Sequence, residues 1–270
     1  MSAIDNKFMP LHLLQIAKKL AHDAGKLALD YQKRGFTTET KNGPFELVTE
    51  ADKACEDLIL STIKKNFPDH TILSEESGMT EGDSEYKWIV DPIDGTTNFA
   101  HGMPIFGISI AIVHKGMPII GVVEIPGTEE TFHAKKGEGA FRNGKQIQVS
   151  RTTNMGEALL ATGFPFDRND PLYKANMRIF EDVYNVSRGV RRFGAASIDL
   201  CYTACGRLDA YWEFGLKPWD IAAGKIIIEE AGGMVTNTDG SMLNPKLGRM
   251  LASNGQLHSR MMELIGHHAK

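Results

Sequence analysis

Cysteine is scarce: Cys55, Cys201 and Cys205 are all that 270 residues contain, an odd number in a chain too long to depend on disulfides. A buried apolar core must hold the fold, and a reducing compartment is expected. A basic surplus is also missing. Thirty Lys and Arg stand against 34 Asp and Glu, a net charge of −4, so neither nucleic acid nor an anionic membrane is expected as the main partner. No apolar run approaches the roughly 20 residues of a bilayer span. The opening "MSAIDNKFMP" lacks the basic start and apolar centre of a signal peptide. These absences give the expectation of a cytoplasmic protein with no membrane partner. What is present, 42% apolar and 24% charged residues, is the balance of a folded domain and excludes a disordered chain. The sequence shows no internal repeat and no low-complexity segment.

Apolar residues at Leu13, Ile16, Leu20, Ala24, Leu27 and Tyr31 recur every three or four positions, which predicts a helix from Pro10 to Tyr31. "FTTETKNGPFELV" reads as a hairpin, with Asn42 and Gly43 suited to a tight turn and Lys41 at the tip. Thr49 is a candidate N-cap for a second helix, with Asp52 in its first turn and Ala54, Leu58, Ile59 and Ile63 as its apolar face. Strand signals follow in "HTILSEE", "YKWIVD", "IFGISIAIVHKGMPIIGVVEIP" and "ETFHAKK", before a turn-rich "GEGAFRNGKQIQVS". Beyond about residue 150 strands and helices alternate: "ALLATG", "PLYKANMRIFEDVYN", "SIDLCYTACG", "LDAYWEFG", "PWDIAAGKIIIEEAGG", "MLASN" and "QLHSRMMELIGHH". This change of pattern predicts two subdomains, residues 1–150 and 151–270, with a site in the cleft between them.

The segment "WIVDPIDGTTNFAHG" carries two carboxylates, Asp91 and Asp94, at the end of a buried strand. Asp-Pro and Asp-Gly are common turn dipeptides, and a plain turn is the simplest reading. Thirteen residues before the next strand are too many for a tight hairpin, however. Pro92 is expected to interrupt the strand so that both carboxylates reach one point, where their repulsion is useful only around a cation. A hard divalent ion such as Mg²⁺ takes one or two carboxylates together with water and phosphate oxygens. Gly95 permits close backbone approach, and the amides of Gly95 and Thr96 open a short helix suited to an anion. Glu75 and Glu76 in "ILSEES" read equally well as a solvated acidic loop. Asp220 and Asp52, each taken alone, read as first-turn acids facing a helix dipole.

Taken together, "ELVTEADKACE", "SEES", "DPIDGTTNF" and "KPWDIAAGKIIIEEAGG" resemble, in order and spacing, the inositol monophosphatase family of Mg²⁺-dependent, lithium-inhibited phosphatases. The resemblance runs over essentially the whole chain. It implies a layered αβαβα sandwich, α+β / α/β in class with an α+β first subdomain and an α/β second one, and a homodimer. It also implies a site of two to three Mg²⁺ ions held by Glu75, Asp91, the carbonyl of Ile93, Asp94 and Asp220. Asp52 and Thr96 then match the pair that activates the attacking water, with Glu76 as a supporting acid. Gly95 and Thr96 match the phosphate-binding backbone. Gly194, Ala195, Ala196, Glu213 and Asp220 match the positions that line the substrate.

A carboxylate such as Glu213 accepts hydrogen bonds from vicinal hydroxyls, which suits a polyol. The implied substrate is myo-inositol 1-phosphate. Histidinol phosphate is the nearest enzymatic rival, since a cationic substrate could use the same carboxylate. Fructose 1,6-bisphosphate, 3'-phosphoadenosine 5'-phosphate and NADP belong to the wider superfamily. A regulatory role on RNA or a transcription complex through Arg188, Arg191 and Arg192 is the alternative of a different class. His101, in "HGMP", reads as a surface or structural histidine, and Cys201 and Cys205 as small apolar residues.

Overall fold

The computed structural model describes residues 5–41, 43 and 45–268. The first half runs α1 (Asp5–Arg34), β1 (Thr38–Thr40), β2 (Leu47–Thr49), α2 (Glu50–Asn66), β3 (Thr71–Ser74), β4 (Gly78–Thr80), β5 (Tyr86–Asp94), α3 (Thr96–Ala100), β6 (Gly107–His114), β7 (Met117–Ile125), β8 (Glu130–Lys135), β9 (Ala140–Arg142) and β10 (Lys145–Ile147). The second half runs β11 (Leu159–Thr162), α4 (Pro171–Val186), β12 (Gly189–Arg191), α5 (Ala196–Ala204), β13 (Ala210–Phe214), α6 (Pro218–Glu230), β14 (Met234–Thr236), β15 (Arg249–Ser253) and α7 (His258–Gly266).

Two large sheets organise the chain. The first has eight strands in the order β10-β9-β8-β7-β6-β5-β3-β4, antiparallel except for the β3/β5 pair. The second has five in the order β12-β11-β13-β15-β14, with β11 parallel to both β12 and β13. Period-two alternation explains how helices cover both faces of each sheet. Trp88 and Val90 of β5, with Ile108, Ile110 and Ile112 of β6, pack against α1 and α2. Ile89, Ala111, Val113 and Val123 point the other way, to α5 and α6. In the second sheet Tyr211 and Ala252 face that same helical layer, while Ala210, Trp212, Phe214 and Leu251 face α4 and α7. The layers are thus helices, sheet, helices, sheet, helices, the expected αβαβα architecture.

Several sequence expectations shift in detail. Helix α1 begins before Pro10 and carries that proline inside it. The buried face of α2 is Ala51, Cys55, Ile59, Leu60 and Ile63, so Ala54 and Leu58 are only half-buried. Thr49 does cap α2: its side chain accepts from the amides of Ala51 and Asp52, and Asp52 Oδ2 accepts from the Thr49 amide at 2.8 Å. Strands β1 and β2 form the expected hairpin, although Asn42 at its turn lies outside the described residues. The turn-rich stretch after β8 contains the β9/β10 hairpin. Strands β4, β12 and β14 were not anticipated, because three residues are too few to show a period. No helix among the described residues is long and apolar enough to cross a membrane.

Candidate active site

Strand β5 does not stop at Asp91. It continues to Asp94 with Pro92 inside it, and its pairing with β6 slips at that point: Asp91 lies opposite Ser109, whereas Asp94 lies opposite Gly107. Three steps on β5 match two on β6, so one extra residue bulges out. Residues three apart, which a regular strand would aim at opposite faces, here share one. Ile93 turns into the α1/α2 core while Asp91 and Asp94 look toward α5 and α6. The expectation that proline interrupts the strand is therefore corrected: the bulge brings the carboxylates together. Proline is tolerated there because β3 pairs with β5 only as far as Val90, and bulges are among the few strand positions that can do without an N–H.

Asp220 arrives from the opposite side, as the third residue of α6, with Oδ2 accepting from the Lys217 amide at 2.6 Å. Carboxylate oxygens of Asp91, Asp94 and Asp220 lie within 4.8 Å of one another. Asp91 and Asp94 are buried, 2% and 7% exposed. Among the described residues none of the three is paired with a lysine or arginine. Burial, followed by the charges of Glu75, Asp94 and Asp220, holds Asp91 well above the usual carboxylate range. Burial, then Asp94, does the same to Asp220. Asp94 rises less, to about 6, because the Ser197 amide at the start of α5 donates to its Oδ2 at 2.6 Å.

Glu75 and Glu76 turn to a cation of the protein itself. Lys41 Nζ lies 2.8 Å from Glu75 Oε1 and 2.5 Å from Glu76 Oε1. Glu75 still lines the same cleft as the three aspartates. Burial pushes Glu76 up to about 7 despite Lys41, and the ammonium, though itself drawn from solvent, is held above its ordinary value by the two glutamates. Their turn is shaped by Glu56 of α2, whose Oε1 accepts from the Ser74 hydroxyl and from the amides of Glu76 and Ser77 at 3.1 and 3.3 Å.

The Thr96 hydroxyl lies 3.1 Å from Asp52 Oδ1 and 3.0 Å from the Ile93 carbonyl, linking the start of α2 to the end of β5. Desolvation raises Asp52 above its ordinary pKa. Gly95, at φ +90°, turns the chain from β5 into α3. From the second half, Gly194, Ala195, Ala196 and Glu213 line the cleft with Arg192 and Phe164. The Tyr211 hydroxyl donates to Glu213 Oε2, yet burial still pushes Glu213 up to about 7.

One cleft thus holds Glu75, Asp91, Ile93, Asp94, Gly95, Thr96, Gly194, Ala195, Ala196, Glu213 and Asp220. Asp52 stands behind it through Thr96, and Glu76 stands at its side through Lys41. Sequence reasoning missed Glu56, Ser197 and Asp199; the last is buried in α5 with Oδ1 unpartnered. Asp199 carries no pattern that marks it. Glu56, by contrast, is an acid on the apolar side of α2, and that misplacement was a legible signal. His101 is exposed, and the three cysteines are free.

A model of the inositol monophosphatase family matches residues 9–270. An inositol-1-monophosphatase of Synechocystis is 43% identical over 253 residues, covering 93% of this chain and 88% of that protein. A relative in Pseudomonas aeruginosa named Nus factor SuhB is 40% identical over 261 residues, covering 95% and 96% of the two chains. The solved inositol monophosphatase of Anabaena superimposes with a TM-score of 0.85 at 40% identity, over 95% of this chain and 96% of that one.

Proposed function

Given that the chain belongs to the inositol monophosphatase family and is a phosphatase of that type, we propose that it hydrolyses a small phosphorylated polyol, myo-inositol 1-phosphate first, in a Mg²⁺-dependent reaction. The observation that carries this reading is the convergence of Asp91, Asp94 and Asp220 beside the Gly95–Thr96 backbone, with Glu213 across the cleft. The donor set fits the metal. It is all oxygen, and its three aspartates have no lysine or arginine partner among the described residues, which suits a hard divalent cation and leaves three carboxylates in repulsion otherwise.

Glu75, Asp91, the Ile93 carbonyl, Asp94 and Asp220 would hold two or three Mg²⁺ ions, which lower the pKa of bound water and neutralise phosphate charge. The protein's own groups do the rest. Asp52, fixed by its bonds to Thr49, accepts a proton through the Thr96 hydroxyl, and Glu76 supports it by holding Lys41 on the adjacent turn. The Gly95 and Thr96 amides bind phosphate oxygens, while Glu213 and the Gly194–Ala195–Ala196 backbone read substrate hydroxyls. On this reading residues 1–150 carry most of the metal site and residues 151–270 the specificity. A cytoplasmic homodimer is part of the proposal.

Phosphate release with Mg²⁺ from inositol 1-phosphate, histidinol phosphate, fructose 1,6-bisphosphate, 3'-phosphoadenosine 5'-phosphate and NADP tests the substrate. Inositol 1-phosphate should give the highest kcat/KM, with inhibition by lithium. A clear preference for histidinol phosphate would replace the polyol assignment and leave the metal site intact. The name of the Pseudomonas relative favours a second role on a transcription complex. Arg188, Arg191 and Arg192 are all exposed, and Arg192 also lines the cleft, so the first two are the ones that test this role separately. Charge reversal of Arg188 and Arg191 should then abolish RNA binding at physiological salt and spare phosphate release; absence of RNA binding by the parent protein removes this role.

A further inference from the structure

We infer that Asn98 is a positioning residue that locks the hydroxyl-reading loop of the second half against the phosphate-binding turn of the first. The inference rests on the functional reading above. Asn98 lies in α3, one turn beyond Gly95, and is 7% exposed. Its Nδ2 donates to the Ile105 carbonyl at 2.8 Å and to the Phe193 carbonyl at 2.7 Å. Carbonyls only accept, so two of them on one end of the amide fix its orientation and use both N–H groups.

The second bond crosses between the halves and arrives immediately before Gly194. There the two backbones nearly touch. A methyl group on Gly95 would stand 3.1 Å from Ala195 Cβ and 3.3 Å from the Gly194 carbonyl oxygen. Both glycines have positive φ, +90° and +82°, so each turn is tight as well as close to the other. Two residues past Ala195 the Ser197 amide reaches back to Asp94. The loop from Phe193 to Ser197 is therefore fastened to the first half twice, to the Asn98 amide at one end and the Asp94 carboxylate at the other. Between these points sit Gly194, Ala195 and Ala196, which line the cleft. A side chain that touches no substrate thereby sets the spacing between where phosphate is bound and where hydroxyls are read.

The test compares parent, Asn98→Ala and the isosteric Asn98→Asp with Mg²⁺, using inositol 1-phosphate and phenyl phosphate, which has no hydroxyls to read. Both variants should raise KM for inositol 1-phosphate about tenfold and change that for phenyl phosphate less than about twofold. Amide hydrogen exchange at residues 194–197 should quicken about tenfold, with the β5 and β6 amides unchanged. Equal losses on the two esters, or exchange no faster at 194–197 than elsewhere, would overturn the positioning role. Failure of both variants to fold would do so too, in favour of a purely structural one. If the parent does not turn over inositol 1-phosphate, the substrate reading has failed, and the exchange comparison still decides the role of Asn98.

Discussion

Asp52 meets Thr96 across 3.1 Å while its other carboxylate oxygen accepts from both the amide and the hydroxyl of Thr49, at 2.8 and 2.6 Å. One buried side chain therefore completes the capping box of α2 and reaches the cleft only through Thr96. Asp52→Asn keeps the shape but offers an N–H₂ where an acceptor is needed. It should lower kcat about 10²–10⁴-fold with KM little changed, the signature of lost proton transfer. Thr96→Val should fall at the low end of that range. The cap makes a control necessary, since its loss costs about 1 kcal/mol of helix stability. Steady-state kinetics under saturating Mg²⁺, run beside thermal melts, separate the two effects. A kcat near the parent value would remove Asp52 from the reaction.

Metal binding can be tested without turnover. Any ligand that binds only the folded state stabilises it, by about 2.7 kcal/mol at a hundred times its Kd. Mg²⁺ should therefore raise the melting temperature of the parent protein. Asp220→Asn should shrink that rise, since it removes one of the ligands, and abolish most of the activity. In a chelator its sign reverses: relieving about 1 kcal/mol of repulsion toward Asp91 and Asp94 moves the melting point up by roughly 2–4 °C. Calorimetry with and without Mg²⁺ reads both arms. A variant that melts lower than the parent in chelator would show that Asp220 holds the fold by another route.

Glu213 gives a stability prediction with a defined window. Its ordinary pKa of 4.5 rises to about 7 in the fold, chiefly through burial. Below pH 4.5 the group is protonated in both states and costs nothing. Between pH 4.5 and 7 the unfolded chain loses its proton first, so stability falls as pH rises, and the penalty is constant above 7. Glu213→Gln, which keeps an acceptor for Tyr211, should match the parent near pH 4.5 and exceed it increasingly toward pH 7. Urea denaturation at three pH values measures this. A difference that is constant with pH would contradict the raised pKa.

Much of the fold was legible because long elements repeat their signal. The α1 stripe from Leu13 to Tyr31 and the Thr49 cap are each written in adjacent residues. Strands β4, β12 and β14 were not legible, since three residues cannot display alternation. The candidate site divides in the same way. Asp91, Asp94 and Gly95 announce themselves by their neighbours, but the bulge that unites the two carboxylates depends on β6, and no local pattern encodes a slip against a partner strand. The attachment of Glu75 and Glu76 to Lys41, and of Phe193 to Asn98, joins segments remote in sequence; only tertiary structure brings them together.

A ladder of rings at the far end of β5 supplies the last prediction. His70 stacks between Phe67 and Tyr86, at centroid distances of 4.8 and 5.1 Å, and its Nδ1 lies 3.0 Å from Trp88 Nε1. An indole nitrogen can only donate, so Nδ1 must be unprotonated, and His70 must be neutral for the bond to exist. Burial lowers its pKa from 6.5, with only the adjacent Asp69 opposing. Above pH 6.5 both states are neutral and the stabilisation is complete. As pH falls below 6.5 the unfolded chain takes up a proton that the folded one refuses, and stability declines. His70→Asn keeps an acceptor for Trp88 and cannot titrate. It should be less stable than the parent at pH 7.5, through the lost stacking, and the gap should narrow by pH 5.5. His133 and His258, whose pKa values are also lowered by burial, weaken both proteins alike at low pH and cancel in the comparison. Urea midpoints at the two pH values settle it: a gap that stays fixed would mean that His70 accepts its proton in the folded state and that the bond to Trp88 is dispensable.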